Sequence, residues 1–347
     1  MNYRLLRHFD APLVLSTLSL LLLGLAMIYS ASYSQDSGSS WSSWDSPVAR
    51  QIIYAGIGLV LMVVAASVDY RFYGNIAPLI YGAVIALLSL VLATGESTYG
   101  ARRWIDLALF PVQPSELAKL SIILVTAKFL SDREERVGDL RVLIQFLLLM
   151  GFPAALVFLQ PALGTTLVFG GIWLGMAIVS GIRLLHLGLL LASGALAAPV
   201  AYLFLLRPYM QERVLTFLDP TRDPLGAGYN VIQSEISVGS GGLWGKGFLE
   251  GTQSHLEFLR IQSSDFIFSV LGEELGFVGA LILFALYIAL LVRGIRAAYI
   301  ARDTFGRLIV TGIPLPLISH GGSSLITTLV SLGLLQSIVI RHRRLEF

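Results

Sequence analysis

The sequence predicts an all-α integral membrane protein, a polytopic bundle of helices, on three observations. Hydrophobic residues make up 55% of the 347 residues and charged residues only 13%, about half the charged fraction of a typical soluble domain. Apolar runs long enough to cross a bilayer recur along the chain, and arginines concentrate in alternate loops between them. Together these observations exclude a soluble globular enzyme.

The composition also narrows the chemistry. The net charge is +2, from 24 basic and 22 acidic residues, which is too balanced to indicate a nucleic-acid partner. The chain has no cysteine, which excludes a disulfide framework, a thiol nucleophile and thiolate metal ligands. Carboxylates are available for a divalent cation, but no ligand spacing singles out a metal site. No cofactor is therefore predicted, and a divalent cation stays open.

Nine apolar segments are predicted to cross the membrane, each close to the roughly 20 residues that a bilayer requires. They form one domain over residues 1–347. In chain order they are residues 11–30, 51–67, 75–94, 115–130, 142–159, 163–179, 184–206, 266–292 and 323–340.

The basic loops predict that the amino terminus lies on the cytoplasmic side, because cytoplasmic loops carry an excess of Lys and Arg. Basic residues cluster at the amino terminus, after the second, fourth, sixth and eighth spans, and at the end of the chain. The opposite side receives residues 33–47, 95–114 and 207–264. The last of these is predicted to be a large extracellular loop.

After the eighth span, the positions of the basic clusters disagree with the number of predicted crossings. Arg307 and Arg341 both lie in basic clusters of the cytoplasmic kind, so an even number of crossings must separate them, yet the apolar segments supply one. Either residues 311–316 begin a re-entrant loop, or a whole span is missing. We favour the second interpretation and predict a chain break at or near Val310/Thr311, with ten spans natively and nine present.

Two arginines on the outer side are candidates for binding a substrate. Arg102 and Arg103 lie where the positive-inside rule disfavours them, and guanidinium groups bind phosphate in a bidentate manner. Trp104 fits an interfacial anchor, and Arg50 enters the second span from the same side. Nonspecific contact with lipid phosphates is the alternative interpretation.

Ionisable groups within spans are a second set of candidates, because they are costly in a membrane. Glu116 and Lys119 have the i, i+3 spacing of an ion pair on a helix. Asp265 opens the eighth span and is either a helix-dipole partner or a general base that faces the outer leaflet. Lys246 lies in a glycine-rich run, 239–247, whose amides suit an anion, although such runs are more often flexible loops.

Several long motifs together resemble those of the SEDS family (shape, elongation, division and sporulation), over essentially the whole chain. The motifs are Arg-Trp-Ile with Gln-Pro-Ser-Glu-x-x-Lys, Asp-Pro-Leu-Gly-x-Gly-Tyr, Ile-Gln-Ser, Gly-Ser-Gly-Gly-Leu-x-Gly-Lys-Gly, Asp-Phe-Ile-Phe, Gly-Glu-Glu-Leu-Gly and Thr-Gly-Ile-Pro-Leu-Pro-x-Ile-Ser-x-Gly-Gly-Ser-Ser.

The resemblance implies a ten-span peptidoglycan glycosyltransferase that polymerises lipid II on the outer face of the bacterial cytoplasmic membrane, for cell-wall elongation and rod shape. It also implies a class B penicillin-binding protein and other membrane proteins of the elongation complex as partners. The family's essential extracellular Asp falls on Asp265. Its external Arg falls on Arg50, the Trp of its Arg-Trp-Ile motif on Trp104, and its buried ion pair on Glu116 and Lys119. Together with Arg50 and Trp104, the expected substrate-binding residues are Arg102, Arg103, Lys246, Gln233 and Ser319.

The chain departs from the family pattern at two places. The family has a complete span before Thr-Gly-Ile-Pro-Leu-Pro, which agrees with the missing segment inferred from charge. It also has Gln-Pro-Asp-Leu-Gly where this chain has Ala162 in place of the acid. Loss of a carboxylate there predicts an impaired variant.

Glycosyl transfer between two membrane-tethered sugars is the predicted reaction. Asp265 is expected to act as general base in a single, inverting displacement, with the outer basic residues at the pyrophosphate. A transporter that moves lipid II along the intramembrane carboxylates is the main alternative. A scaffold that only recruits partners is the third, and it leaves the outer Arg and Asp265 unexplained.

Overall fold

The structure is a computed structural model that describes residues 9–33, 46–94, 104–106, 111–255, 263–314 and 317–342. Helices dominate these ranges, and a hairpin of two short strands, β1 (Ile105–Asp106) and β2 (Pro111–Val112), precedes the fourth helix. The helices are α1 (Ala11–Tyr33), α2 (Pro47–Ser67), α3 (Tyr70–Thr94), α4 (Pro114–Ser131), α5 (Leu140–Leu159), α6 (Leu163–Val179), α7 (Leu184–Phe204), α8 (Pro208–Leu218), α9 (Tyr229–Ser240), α10 (Thr252–His255), α11 (Ile267–Ile300), α12 (Thr304–Gly312) and α13 (Gly322–Arg341).

Each of the nine predicted spans is a helix in the structure, which confirms the all-α polytopic fold. Seven described helices are long and apolar enough to cross a membrane, and α6 is a shorter apolar helix. The ninth, α4, carries more charge, but most of its residues are buried at the centre of the bundle. By contrast, α7 buries only Leu187 and therefore presents nearly its whole surface to lipid.

Polar contacts mark the two ends of the bundle. At the end predicted to be cytoplasmic, the inner end, Arg71 Nε lies 3.1 Å from Asp303 Oδ2 and Arg341 Nη2 donates to the Ser67 carbonyl at 2.6 Å. At the opposite, outer end, the Gly321 amide donates to Gln51 Oε1 at 3.3 Å. These contacts tie the ends of helices that are distant in sequence.

The predicted chain break at Val310/Thr311 is wrong. Helix α12 continues through both residues, and Thr311 Oγ1 donates to the Arg307 carbonyl at 2.9 Å. With nine residues it rises about 14 Å, so it starts at the inner end and stops midway. The described residues that follow, 313–314 and 317–321, are not helical, and Gly321 lies at the outer end. The described residues of α12 and of the stretch up to Gly321 thus lead from the inner end to the outer end, which is the change of side that the charge pattern required.

In the described part of this stretch, Leu317 and Ile318 are buried in protein, which is the condition for irregular backbone at membrane depth. The Leu317 amide donates to the Tyr287 hydroxyl at 3.4 Å. Gly24 of α1 packs against the same stretch, since a Cβ there would lie 2.9 Å from the Ile318 carbonyl oxygen. A larger residue at position 24 would push the stretch away from α1.

Helix α11 is kinked at Gly276, which has a φ of 62° and a ψ of −160°. The glycine-rich turn after α9 inserts at this kink. The Lys246 amide donates to the Glu273 carbonyl at 3.0 Å, and the Phe277 amide donates to the Gly242 carbonyl at 2.9 Å. In an unbroken helix the Phe277 amide would itself bond to Glu273. The turn therefore satisfies backbone groups that the kink frees.

Part of the predicted extracellular loop consequently packs against the first part of α11. Helix α9 runs beside α11 in the same direction, with Ser234 Oγ 2.6 Å from Ser269 Oγ and Ser237 Oγ donating to the Ser269 carbonyl at 3.2 Å. From the start of α11 to Gly276 the helix rises about 14 Å. The turn that follows α9 thus reaches well below the outer end.

Single cysteines test the crossing by α12, since the chain has none of its own. We expect Arg302→Cys to react with a membrane-impermeant maleimide only after permeabilisation, and His320→Cys to react in intact cells. Leu225→Cys, in the exposed outer segment, is the control for outer labelling. Labelling of positions 302 and 320 from the same side would mean that the segment turns back instead of crossing.

Candidate active site

Asp265 lies in the turn just before α11, at the outer end, with its side chain exposed. Ser264 Oγ donates to its Oδ1 atom at 3.3 Å. The cap position of α11 is Phe266, and no side chain caps the helix. Asp265 is therefore not a capping residue, and its carboxylate is accessible from the outer side.

The turn that carries Asp265 is joined to the loop before α13 and to the start of α2. The His320 amide donates to the Ser263 carbonyl at 2.9 Å. Gln51 Nε2 donates to the Ser319 carbonyl at 3.5 Å, and its Oε1 accepts from Gly321. The starts of α2, α11 and α13 therefore converge beside Asp265. Sequence reasoning did not select Gln51 or His320.

Arg50 belongs to this convergence. It is exposed in the first turn of α2, next to Gln51. Burial, together with the positive charge of Arg50, holds the pKa of His320 below its usual value of 6.5. The imidazole therefore stays neutral near pH 7, and the guanidinium supplies positive charge at the site. An anionic group is favoured here because α2 also points its positive dipole end outward.

The hairpin that carries Trp104 is fastened to the same region. The Gln113 amide donates to Ser323 Oγ at 3.0 Å, and Ser323 Oγ donates to the Pro111 carbonyl at 3.3 Å. Trp104 is 40% exposed, as an interfacial anchor requires. Arg102 and Arg103 lie outside the described residues.

Glu116 and Lys119 form an ion pair below this surface, in the first two turns of α4. Lys119 Nζ lies 2.7 Å from Glu116 Oε2, and both side chains are buried. A buried carboxylate next to an ammonium group needs no further counter-charge. The pair is positioned to orient the start of α4 under the Trp104 hairpin.

Lys246 faces a carboxylate in the protein. Its Nζ lies 2.7 Å from Oε1 of Glu273, a residue with no exposed surface, and also donates to Thr252 Oγ1 at 2.7 Å. The Gln253 amide and Ser237 Oγ donate to the same carboxylate at 2.8 and 3.2 Å. This network, the Glu273 latch, ties the segment from α9 to α10 onto α11.

Glu273 and Glu274 lie within the eighth predicted span, where a carboxylate needs a partner or a polar cavity, and the sequence alone does not indicate which. Glu274 is buried and accepts a hydrogen bond from Ser30 Oγ of α1. Gln233 is half-buried in α9, and Ser319 is half-buried beside Gln51. Within the described ranges, no group of three or more His, Asp or Glu side chains could hold a metal ion.

Ala162, the position where the resemblance expects an acid, is the N-cap residue of α6 and is buried. Its methyl group cannot accept a hydrogen bond from the first turn, and the helix has no side-chain cap. Asp is among the preferred N-cap residues because its carboxylate bonds these free amides. The neighbouring Gln160 anchors the turn, since its Nε2 donates to the Leu88 carbonyl at 2.9 Å.

The fold and the site together define a polytopic helical membrane protein with a polar, charged site at one membrane surface. The chain belongs to the FtsW/RodA/SpoVE family of cell cycle proteins, whose profile matches residues 11–310 and 307–344. The resemblance drawn from the motifs is thereby confirmed. The two matched ranges meet within α12, at the place where the charge pattern indicated a missing span.

Relatives match over almost their whole length. Peptidoglycan glycosyltransferase MrdB of Escherichia coli (strain K12) is 41% identical, with 98% of this chain and 95% of the relative covered. Stage V sporulation protein E of Bacillus subtilis (strain 168) is 36% identical, with 95% and 96% covered. The MrdB match extends over 363 positions, so the relative has residues without a counterpart in this chain.

Solved structures agree. A chain from a study of the structural coordination of polymerization and crosslinking by a peptidoglycan synthase complex matches with a TM-score of 0.81 at 31% identity, covering 97% of this chain and 99% of that chain. The crystal structure of the rod shape determining protein RodA of Thermus thermophilus gives a TM-score of 0.68 at 28% identity, covering 96% and 97%.

The Glu273 latch makes a testable contribution to stability. Lys246→Met leaves a buried carboxylate without its cation, so we expect the free energy of unfolding to fall by about 3 kcal/mol. The double variant Lys246→Met/Glu273→Gln is expected to recover at least half of that loss. Chemical denaturation in detergent measures both.

Lys128→Met is the matched control for the latch, because it breaks the exposed pair between Lys128 and Asp132. Exposed pairs contribute at most about 1 kcal/mol. If Lys246→Met lowered the free energy of unfolding by no more than Lys128→Met does, the latch would not hold the loop. The same would follow if the effects of Lys246→Met and Glu273→Gln on that free energy were additive.

Proposed function

We propose that this chain is a peptidoglycan glycosyltransferase that polymerises lipid II into glycan strands for cell-wall elongation. Its family and its relatives, MrdB among them, support the reaction class. The observation that carries the proposal is the exposed carboxylate of Asp265, in the turn that contacts His320 before α13, with the charge of Arg50 acting on the same His320. This group lies at the end of the bundle opposite the basic loops.

Asp265 acts in this proposal as the general base. The 4-hydroxyl oxygen of one lipid II sugar attacks the anomeric carbon of the other sugar, and Asp265 takes the hydroxyl proton. The bond from the anomeric carbon to the pyrophosphate oxygen breaks, and its electron pair leaves with undecaprenyl pyrophosphate. A single displacement of this kind inverts the anomeric centre and needs no covalent enzyme intermediate.

Positive charge stabilises the leaving pyrophosphate as its negative charge develops. Arg50 is exposed at the positive end of the α2 dipole, so it suits this role, and Arg102 and Arg103 are further candidates from the sequence. Lys246 acts differently from the sequence-based expectation, because its charge is compensated by Glu273. We assign it to holding the α9 turn, and Gln233 and Ser319 to contacts with the sugars or the peptide.

A class B penicillin-binding protein is the proposed partner, with other membrane proteins of the elongation complex. Support comes from the similar chain in a peptidoglycan synthase complex that coordinates polymerization and crosslinking. The proposed location is the bacterial inner membrane with the active site on the extracytoplasmic face, as the basic loops predict.

A lipid II transporter is the second candidate, and the described contacts weigh against it. The four intramembrane ionisable groups at issue all bond within the protein: Glu116 with Lys119, Glu273 with Lys246, and Glu274 with Ser30. Groups that line a transport path would face a polar cavity instead. A scaffold without activity has no use for an exposed Asp265 beside Arg50.

Asp265→Asn tests the general base. It keeps size and hydrogen bonding but cannot take a proton, so we expect polymerisation to fall by about 10²–10⁴-fold. The assay is gel analysis of glycan chains made from labelled lipid II by the detergent-purified protein with its partner. Glu235→Gln removes an exposed carboxylate of α9 and is expected to leave the rate unchanged.

A rate above about a tenth of the parent rate for Asp265→Asn would exclude the base assignment, since general bases contribute about 10²–10⁴-fold. Lipid II movement across vesicles without polymerisation by the parent protein would favour the transporter instead.

Ala162→Asp tests whether this chain is an impaired variant. The new carboxylate can cap α6, so we expect the free energy of unfolding to rise by about 0.5–2 kcal/mol. Ala162→Asn supplies a similar cap without charge and separates the two roles. If the acid is functional, polymerisation rises with Asp only. Equal polymerisation by the parent and both variants would remove the impairment hypothesis.

A further inference from the structure

An apolar groove of about 680 Å³ lies in the inner half of the bundle, between α6, α11, α12 and α13. Its walls include Leu290 and Ile295 of α11, Val310 of α12 and Leu332 of α13, and Arg307 lies on its rim. Its volume falls in the range of about 300–1,000 Å³ that is typical of ligand sites.

Contacts on either side place the groove at the level of the inner leaflet. Arg307 lies one turn into α12, whose first turn is capped by Asp303, and Asp303 also pairs with Arg71. On the α11 side, Arg293 pairs with Asp10 of the amino-terminal segment. Ile295 is 57% exposed, so the groove is open toward the lipid chains.

Arg307 supplies a positive charge that has no counter-charge among the described residues. Its side chain is exposed, and no ion pair in the described part of the chain includes it. A cation near the headgroup level is stabilised by an anionic lipid, since guanidinium binds phosphate strongly. The positive charge of Arg307 and the apolar surface of the groove are therefore adjacent, as are the charged headgroup and the acyl chains of a phospholipid.

The groove exists because α12 is short. With nine residues it fills only part of the layer between α6 and α11, and the two ranges that match the family meet within it. Space remains even at Gly294, where a Cβ would lie 3.9 Å from the nearest side-chain atom, in Leu335.

We propose that the groove binds one anionic phospholipid of the inner leaflet, with its phosphate on Arg307 and an acyl chain between α11 and α13. The lipid fills the layer that a half-length helix leaves open. This site is at the opposite end of the bundle from Asp265 and does not depend on the reaction there.

Native mass spectrometry on the full chain, released from nanodiscs of mixed phosphatidylglycerol and phosphatidylcholine, tests the site. We expect the parent protein to retain one phosphatidylglycerol, and Arg307→Gln to retain at least about fivefold less, as one basic residue near the surface contributes. Arg296→Gln, an exposed arginine of α11 that is not part of the groove, is the matched control and should behave like the parent.

Gly294→Leu is the second variant, because its side chain enters the groove in competition with the acyl chain. We expect it to lose the retained lipid while Arg307 stays in place. Equal retention by Arg307→Gln and the parent, or equal retention of phosphatidylcholine and phosphatidylglycerol by the parent, would overturn the proposal. Retention that survives Gly294→Leu would do so as well.

Discussion

The outer half of the protein depends on one interaction. Backbone groups at the kink of α11 form hydrogen bonds with the glycine-rich turn after α9. At Gly276 the helix frees amides and carbonyls at membrane depth, where unpaired groups cost several kcal/mol. The turn supplies partners, and the Glu273 latch adds a buried ion pair. The same rule applies to the non-helical stretch before α13, which lies against α1 and α11.

This packing explains how a long loop can present a defined site. Asp265 immediately precedes α11, so its position depends on the part of that helix that α9 and the turn support. The starts of α2 and α13 approach the same turn through Gln51 and His320. The proposed transfer between two tethered sugars requires a base, a nearby cation and rigid surroundings, and Asp265 and Arg50 are our candidates for the first two.

Hydropathy and the basic loops predicted the helices well. Each membrane-spanning segment must form its backbone hydrogen bonds internally, and each inner loop carries arginine. The spacing of Glu116 and Lys119 predicted their contact for a similar local reason. Contacts between residues distant in sequence were not predictable. Lys246 pairs with Glu273 of α11, and sequence spacing does not indicate that contact. The positions of the basic clusters indicated an irregularity near Val310, yet they did not distinguish a chain break from a helix that stops after nine residues.

Amide hydrogen exchange across residues 241–247 tests most directly whether the glycine-rich turn is packed into α11. The account predicts slow exchange for the Lys246 and Gly247 amides, which donate to carbonyls of α11, despite their place in a glycine-rich segment. Residues 221–227 of the same outer segment are exposed and should exchange fast. Equally fast exchange in both segments would contradict the account, since the turn would then be a mobile surface loop.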